Sequence, residues 1–166
     1  MEAVNLRLFN QKVRYHKKAF KSFLGKVERK PPKDLDTIAE TIDAEVWKDI
    51  DCLSCANCCK KMTPTFTEKD IKRIAAHIGM KPKEFKDKWL YYDKKDGEWM
   101  NTKQPCQFLN LGTNMCSVYE VRPDDCSGFP HLKKKTMTDY IHVHQQNIAY
   151  CPATFKMVEK MMEVIK

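Results

Sequence analysis

The chain lacks any run approaching the roughly 18–20 apolar residues that a membrane-spanning helix requires. Its N-terminus carries no apolar stretch of the kind a signal peptide needs. Together these absences lead to the expectation of a cytoplasmic protein. No internal repeat and no low-complexity tract is present, and no Ser/His/Asp or Cys/His arrangement stands apart from the cysteines described below. Catalysis by an isolated nucleophile therefore has no support in the residues. Whole-chain disorder is excluded as well, because 42% of the 166 residues are hydrophobic against 31% charged, more apolar matter than a disordered chain usually carries.

Cysteine is present in number. Eight in 166 residues is about 5%, below the roughly 8–10% of a small disulfide scaffold, and a chain of this length buries a workable core without staples. In a reducing cytosol disulfides seldom persist, so eight thiols point to metal.

The net charge of +8 is a local feature. Residues 1–33 hold ten Lys/Arg and only Glu2 and Glu28, whereas the remaining 133 residues hold 20 basic and 20 acidic groups. Within that basic segment Phe9, Val13, Phe20, Phe23, Leu24 and Val27 fall in one stripe about 120° wide, with lysines and arginines opposite. The spacing predicts an amphipathic helix ending near Lys30-Pro31-Pro32. Its basic face is either simply solvated or meets an acidic protein, a nucleic acid or a membrane surface. By the sequence, no aromatic residue interrupts that face to offer a base-stacking platform.

A second helix is expected over Asp34–Asp49, with Leu35, Ile38, Ile42, Val46 and Trp47 inward. Thr67-Glu68-Lys69-Asp70 resembles a capping box and opens a helix with Ile71, Ile74, Ala75 and Ile78 on one face, closed by Gly79. Pro82 suits the first turn of a short helix carrying Phe85 and Trp89. From Tyr91 to Ser117, turn signals at Asp96-Gly97 and Leu111-Gly112-Thr113-Asn114 favour short strands and loops. Helical spacing returns from Ala153 to Lys166. The expected fold is mostly α with short strands and irregular loops, a small metal-stabilised cysteine-cluster domain. Residues 1–50 would form a basic helical extension packing on the core, and 51–166 the metal-binding domain with a C-terminal helix.

The strongest chemical signal is Cys52-x-x-Cys55-x-x-Cys58-Cys59, four thiols within eight residues. Thiolates are soft donors that select zinc, copper(I) or iron–sulfur clusters over magnesium or calcium. A thioredoxin-type dithiol has two cysteines, not four in a row. Side chains of adjacent residues usually diverge, so Cys58 and Cys59 can feed two sites or bridge two metals. Cys106, Cys116, Cys126 and Cys151 lie downstream, which makes two four-coordinate sites, or one cluster with a structural site, both possible. Cys151-Pro152 has the form of the remote ferredoxin cysteine. One partition places Cys52, Cys55, Cys58 and Cys151 around one centre and Cys59, Cys106, Cys116 and Cys126 around another. The competing reading is that some of the eight are buried apolar thiols. His142 and His144, read as alternating on a strand face, and His131 after Phe129-Pro130 are reserve ligands or pocket-lining groups.

This ordered set, CxxCxxCC followed by Cys106-Gln107-Phe108-Leu109 and by Cys116-Ser117-Val118-Tyr119-Glu120-Val121-Arg122-Pro123-x-x-Cys126-x-x-Phe129-Pro130, resembles the YkgJ-like cysteine-cluster family over about residues 50–153. The resemblance implies chelation of zinc or iron through Cys52, Cys55, Cys58, Cys59, Cys106, Cys116, Cys126 and Cys151, an iron–sulfur cluster included. Arg122 would stand behind the ligands, donating to thiolates or to a helix C-terminus, while Pro123 sets the turn that presents Cys126. Tyr119 would pack beneath the cluster loop. The motif is similar also to the cysteine-rich part of flagellin lysine-N-methylases, but those are much longer and this chain shows no glycine-rich loop for S-adenosylmethionine. Three functions follow as expectations: a metal-binding protein, a metal- or iron–sulfur-dependent enzyme related to protein lysine N-methylation, or a basic adaptor for nucleic acid or an acidic partner.

Overall fold

The structure is a computed structural model that describes residues 4–132 and 136–166. Residues 1–3 of the expected basic extension lie outside that range. In chain order the helices are α1 (Leu6–Arg29), α2 (Leu35–Asp49), α3 (Cys52–Cys55), α4 (Asn57–Lys61), α5 (Glu68–His77), α6 (Pro82–Trp89), α7 (Asp124–Gly128), α8 (Ile141–Asn147) and α9 (Pro152–Val164). Three short strands, β1 (Thr65–Phe66), β2 (Leu90–Asp93) and β3 (Glu98–Asn101), complete the secondary structure with 3-10 turns at Tyr119–Val121 and Met137–Tyr140. The fold is mostly α with short strands, as the periodicities predict. Among the described residues no helix is long and apolar enough to cross a membrane.

The chain divides into two compact units, residues 1–55 with 130–166, and residues 56–129. The first is helical. Asn5 caps α1 by accepting from the Leu8 N–H at 3.0 Å, and the helix buries Phe9, Phe20, Leu24 and Val27 at turn spacing. Phe155 of α9 receives that stripe: its ring centroid is 5.8 Å from Phe9 and 4.7 Å from Phe20. On α2 the buried face is Leu35, Ala39, Ile42, Asp43 and Val46, while Ile38 and Trp47 are only half-buried. Lys160 of α9 reaches Glu45 of α2 at 2.7 Å beside this apolar contact.

The second unit is built on a different plan. Thr67 and Asp70 form the expected capping box, Gly79 takes φ +71° just beyond α5, and Pro82 opens α6. The strands form one antiparallel sheet in the order β1-β3-β2, with Thr65 opposite Met100 and Tyr92 opposite Trp99. Gly97, at φ +71°, closes the β2–β3 turn, where its N–H donates to the Asp93 carbonyl at 2.8 Å. Phe66, Ile71, Ile74, Ala75, Phe85, Leu90, Phe108 and Val118 make the core, and Cys106 and Cys116 pack against it. Burial of Phe85 against Phe66, Trp89 and Phe108, with ring centroids 5.1–6.1 Å apart, locks this layer. The apolar core is thus the floor on which two of the eight thiols rest.

Candidate metal centre

The eight cysteines form no disulfides with one another. Their distribution between the units is unequal: Cys52, Cys55 and Cys151 belong to the helical unit, and Cys58, Cys59, Cys106, Cys116 and Cys126 to the strand-containing one.

Within residues 56–129, four thiols are brought into one another's electrostatic field. Cys59 lies on α4, which Ala56 precedes in a left-handed conformation at φ +46°. The Cys59 carbonyl accepts the Cys106 N–H at 2.9 Å, which ties the start of the 106–116 loop to α4. That loop closes on itself. Leu109 bridges to Cys116, the Ser117 N–H donates to the Phe108 carbonyl at 2.8 Å, and the Asn110 N–H to the Met115 carbonyl at 2.8 Å. Its two cysteines therefore return to one end. Cys126 arrives on α7, whose first residues are held from two sides: the Thr65 N–H donates to Asp125 Oδ2 at 3.1 Å, and Asp70 Oδ1 accepts the Asp124 N–H at 3.2 Å.

The ionisation of these thiols records their crowding. Burial pushes Cys106, Cys116 and Cys126 up, and the Cys59 charge raises all three further. Against that, the N–H groups of Phe108 and Val118, each two residues beyond a cysteine, favour the thiolates of Cys106 and Cys116. Cys59 is the exception. The Cys58 sulfur 3.9 Å away hydrogen-bonds to it and, with its own backbone N–H and the Lys60 charge, brings it down to about 7 despite burial.

In the helical unit Cys55 is buried and Cys52 exposed, both on α3, where Asp51 Oδ1 accepts the Leu53 N–H at 2.9 Å. Cys151 is the residue before Pro152, at the N-terminus of α9. Burial pushes its thiol up, the N–H groups of Thr154 and Ala153 pull the other way, and Cys55 stands close enough to raise it. Among the described residues no three His, Cys, Asp or Glu side chains already stand in a ligating arrangement. The thiols share a field without being drawn into coordination.

The donor chemistry fits a soft cation. Several half-buried thiols that each oppose the others' ionisation are poor neighbours as free thiolates, whereas a thiophilic cation removes both the protons and the repulsion. Backbone N–H groups aimed at sulfur suit a bound thiolate in the same way.

Arg122 does not reach into the thiols as a hydrogen-bond donor; its Nη1 donates at 2.6 Å to the carbonyl of Tyr119, the first residue of a 3-10 turn. Its charge nonetheless favours the Cys116 thiolate. Tyr119, expected beneath the cluster loop, instead lies 38% exposed with the Arg122 guanidinium 3.9 Å from its ring centroid. His142 and His144 are on a helix, α8, and not on a strand. Residues two apart on a helix are about 200° apart, so His142 faces solvent and His144 is buried. Burial, followed by the charges of His131 and His142, brings His144 down to about 4.

Sequence reasoning missed Asp70 and Arg73. Asp70 is 1% exposed and accepts from the Thr67 N–H and hydroxyl at 2.9 and 2.6 Å, from the Asp124 N–H, and from Arg73 at 2.5 Å. Arg73 also donates to the carbonyls of Val121 and Arg122 at 3.3 and 2.9 Å and to Asp124 at 3.1 Å. The capping box was visible, but nothing local in the sequence shows that its acid also anchors the segment between Cys116 and Cys126, some fifty residues away.

Eight cysteines, four of them within eight residues, in a mostly helical chain define a cysteine-cluster class of protein. Residues 51–151 match the family CxxCxxCC, described as "Putative zinc- or iron-chelating domain", and the chain belongs to that family. An uncharacterized protein of Methanocaldococcus jannaschii, MJ0661, is 31% identical over 81 residues, covering 48% of this chain and 43% of the relative. The chain thus spans less than half the length of that curated relative. No solved structure matches it.

Proposed function

We propose that the protein chelates zinc or iron through its eight cysteine thiolates, with Cys59, Cys106, Cys116 and Cys126 as one four-thiolate centre. The single observation that supports this is that the Cys59 charge acts on Cys106, Cys116 and Cys126 alike, residues that α4, both ends of the 106–116 loop and α7 contribute. Cys52, Cys55, Cys58 and Cys151 complete the donor set. Arg122 acts behind it, offsetting negative charge at Cys116. Four thiolates around one ion leave no open position, so this centre holds structure and does not bind substrate as a catalytic metal does. A reducing cytoplasm is the compartment in which such thiols stay available.

The test is metal and acid-labile sulfide content of anaerobically purified protein, together with its visible spectrum. Zinc without sulfide or colour identifies thiolate-bound zinc. Iron with matching sulfide and a brown sample identifies an iron–sulfur protein of the same ligand set. Protein that retains neither metal, and takes up neither after anaerobic reduction, overturns the proposal. Serine at Cys59, Cys106, Cys116 or Cys126 is expected to lower bound metal, whichever metal it is.

A further inference from the structure

The solvent face of α1 takes no part in the chelating chemistry and has an unusual composition. The helix is 24 residues long, about 36 Å, with no acid in its first turn. Its apolar stripe is consumed internally by Phe155 and the α8–α9 layer, so the orientation of the opposite face is settled. There Arg7, Lys12, Arg14, Lys18 and Lys21 are exposed, and Glu28 is the only acid of the helix. Among the described residues these cations find almost no acidic partner: Lys12 lies 4.0 Å from Glu159, and no ion pair holds the others.

Contrary to the reading of the sequence, an aromatic ring does interrupt this face. Tyr15 is 76% exposed, three residues from both Lys12 and Lys18 and therefore one turn from each. A ring held out to solvent among cations has no role in packing. It suits a flat apolar partner that itself carries negative charge.

We propose that this face binds single-stranded nucleic acid, with the lysines and arginines on the phosphates and Tyr15 stacked on an unpaired base. A membrane surface fits less well, because an interfacial helix inserts the apolar face that α1 spends on its own unit. An acidic protein would meet the charges but gives the ring no flat partner. A duplex keeps its bases stacked and out of reach of Tyr15.

The experiment is fluorescence anisotropy of the full chain with a labelled mixed-sequence single strand of about 16 nucleotides, over a series of salt concentrations. Binding is expected to weaken steeply with salt. Tyr15→Ala should weaken it roughly five- to hundredfold with the salt slope unchanged, and Tyr15→Phe should restore it. Lys18→Gln and Lys21→Gln should each reduce the slope by about 0.7, since each removes a single lysine–phosphate pair on a single strand. Tyr15 is exposed, so circular dichroism should be the same for all variants. Absence of salt-dependent binding, equal affinity of wild type and Tyr15→Ala, or equal displacement by poly-glutamate would each overturn the proposal. The last would assign the face to an acidic protein. Metal content plays no part in the readout.

Discussion

Removing the Asp70 carboxylate strands donors from three places at once: the α5 N-terminus through Thr67, the start of α7 through Asp124, and Arg73. Burial alone would push this acid up, but those hydrogen bonds outweigh it and hold it below its ordinary value. A depressed folded value means that Asp70 stabilises the fold above the ordinary carboxyl range, and that this contribution is lost as pH falls through the folded value. Asp70→Ala is expected to cost about 2–4 kcal/mol, since it combines a lost helix cap with buried donors left unmet. Urea unfolding followed by circular dichroism measures it, and an unchanged midpoint would contradict the argument. Because Asp70 also fixes the segment that presents Cys126, the same variant should release metal faster to a competing chelator than wild type does.

At the scale of elements, α8 carries the instructive discrepancy. Two histidines separated by one residue look the same in a sequence whether they ride a strand or a helix, and only the backbone decides which of them is inside. His144, 1% exposed, stays neutral in the fold at pH values where the unfolded chain takes up a proton. Its folded value of about 4 lies below the ordinary 6.5, so the stabilisation it permits is complete above pH 6.5 and is lost as pH falls toward 4. The gap corresponds to about 3 kcal/mol. His144→Gln should flatten the pH dependence of unfolding across that window relative to wild type. Equal slopes in the two proteins would show that His144 does not titrate in this way. The helices α2, α5, α6 and α9 and the β2–β3 turn, by contrast, lie where periodicity, the capping box, Pro82 and Gly97 place them, because each of those signals acts within a few residues.

For the whole molecule, the two units differ in what holds them. Residues 1–55 with 130–166 bury interlocking apolar faces of α1, α2, α8 and α9, whereas the 104–128 stretch is largely loops and short turns resting on one side of a core. Bound thiolate metal contributes on the order of 10–16 kcal/mol in zinc-finger peptides, enough to order such a stretch. Anaerobic removal of metal is therefore expected to collapse amide hydrogen-exchange protection in residues 104–128 while α1 and α9 keep most of theirs. Protection in 104–128 that survives chelation would mean that the thiols are not its organising element.

The sequence by itself determined the helices α1, α2, α5, α6 and α9, the capping box, the cysteine inventory and membership of the family, because these depend on spacings of a few residues or on an ordered motif. Tertiary structure alone decided which cysteine-bearing segments are neighbours. The segments that carry Cys59, Cys106, Cys116 and Cys126 are tied together by the Cys59–Cys106 backbone bond and by the hydrogen bonds of Asp70 and Arg73 with residues 121–124, contacts between residues some fifty apart in the chain, and by the closed 106–116 loop. It also decided that Tyr15 points outward and His144 inward. Facing is set by what an element packs against, and a side chain's type records only that it is able to serve on either side.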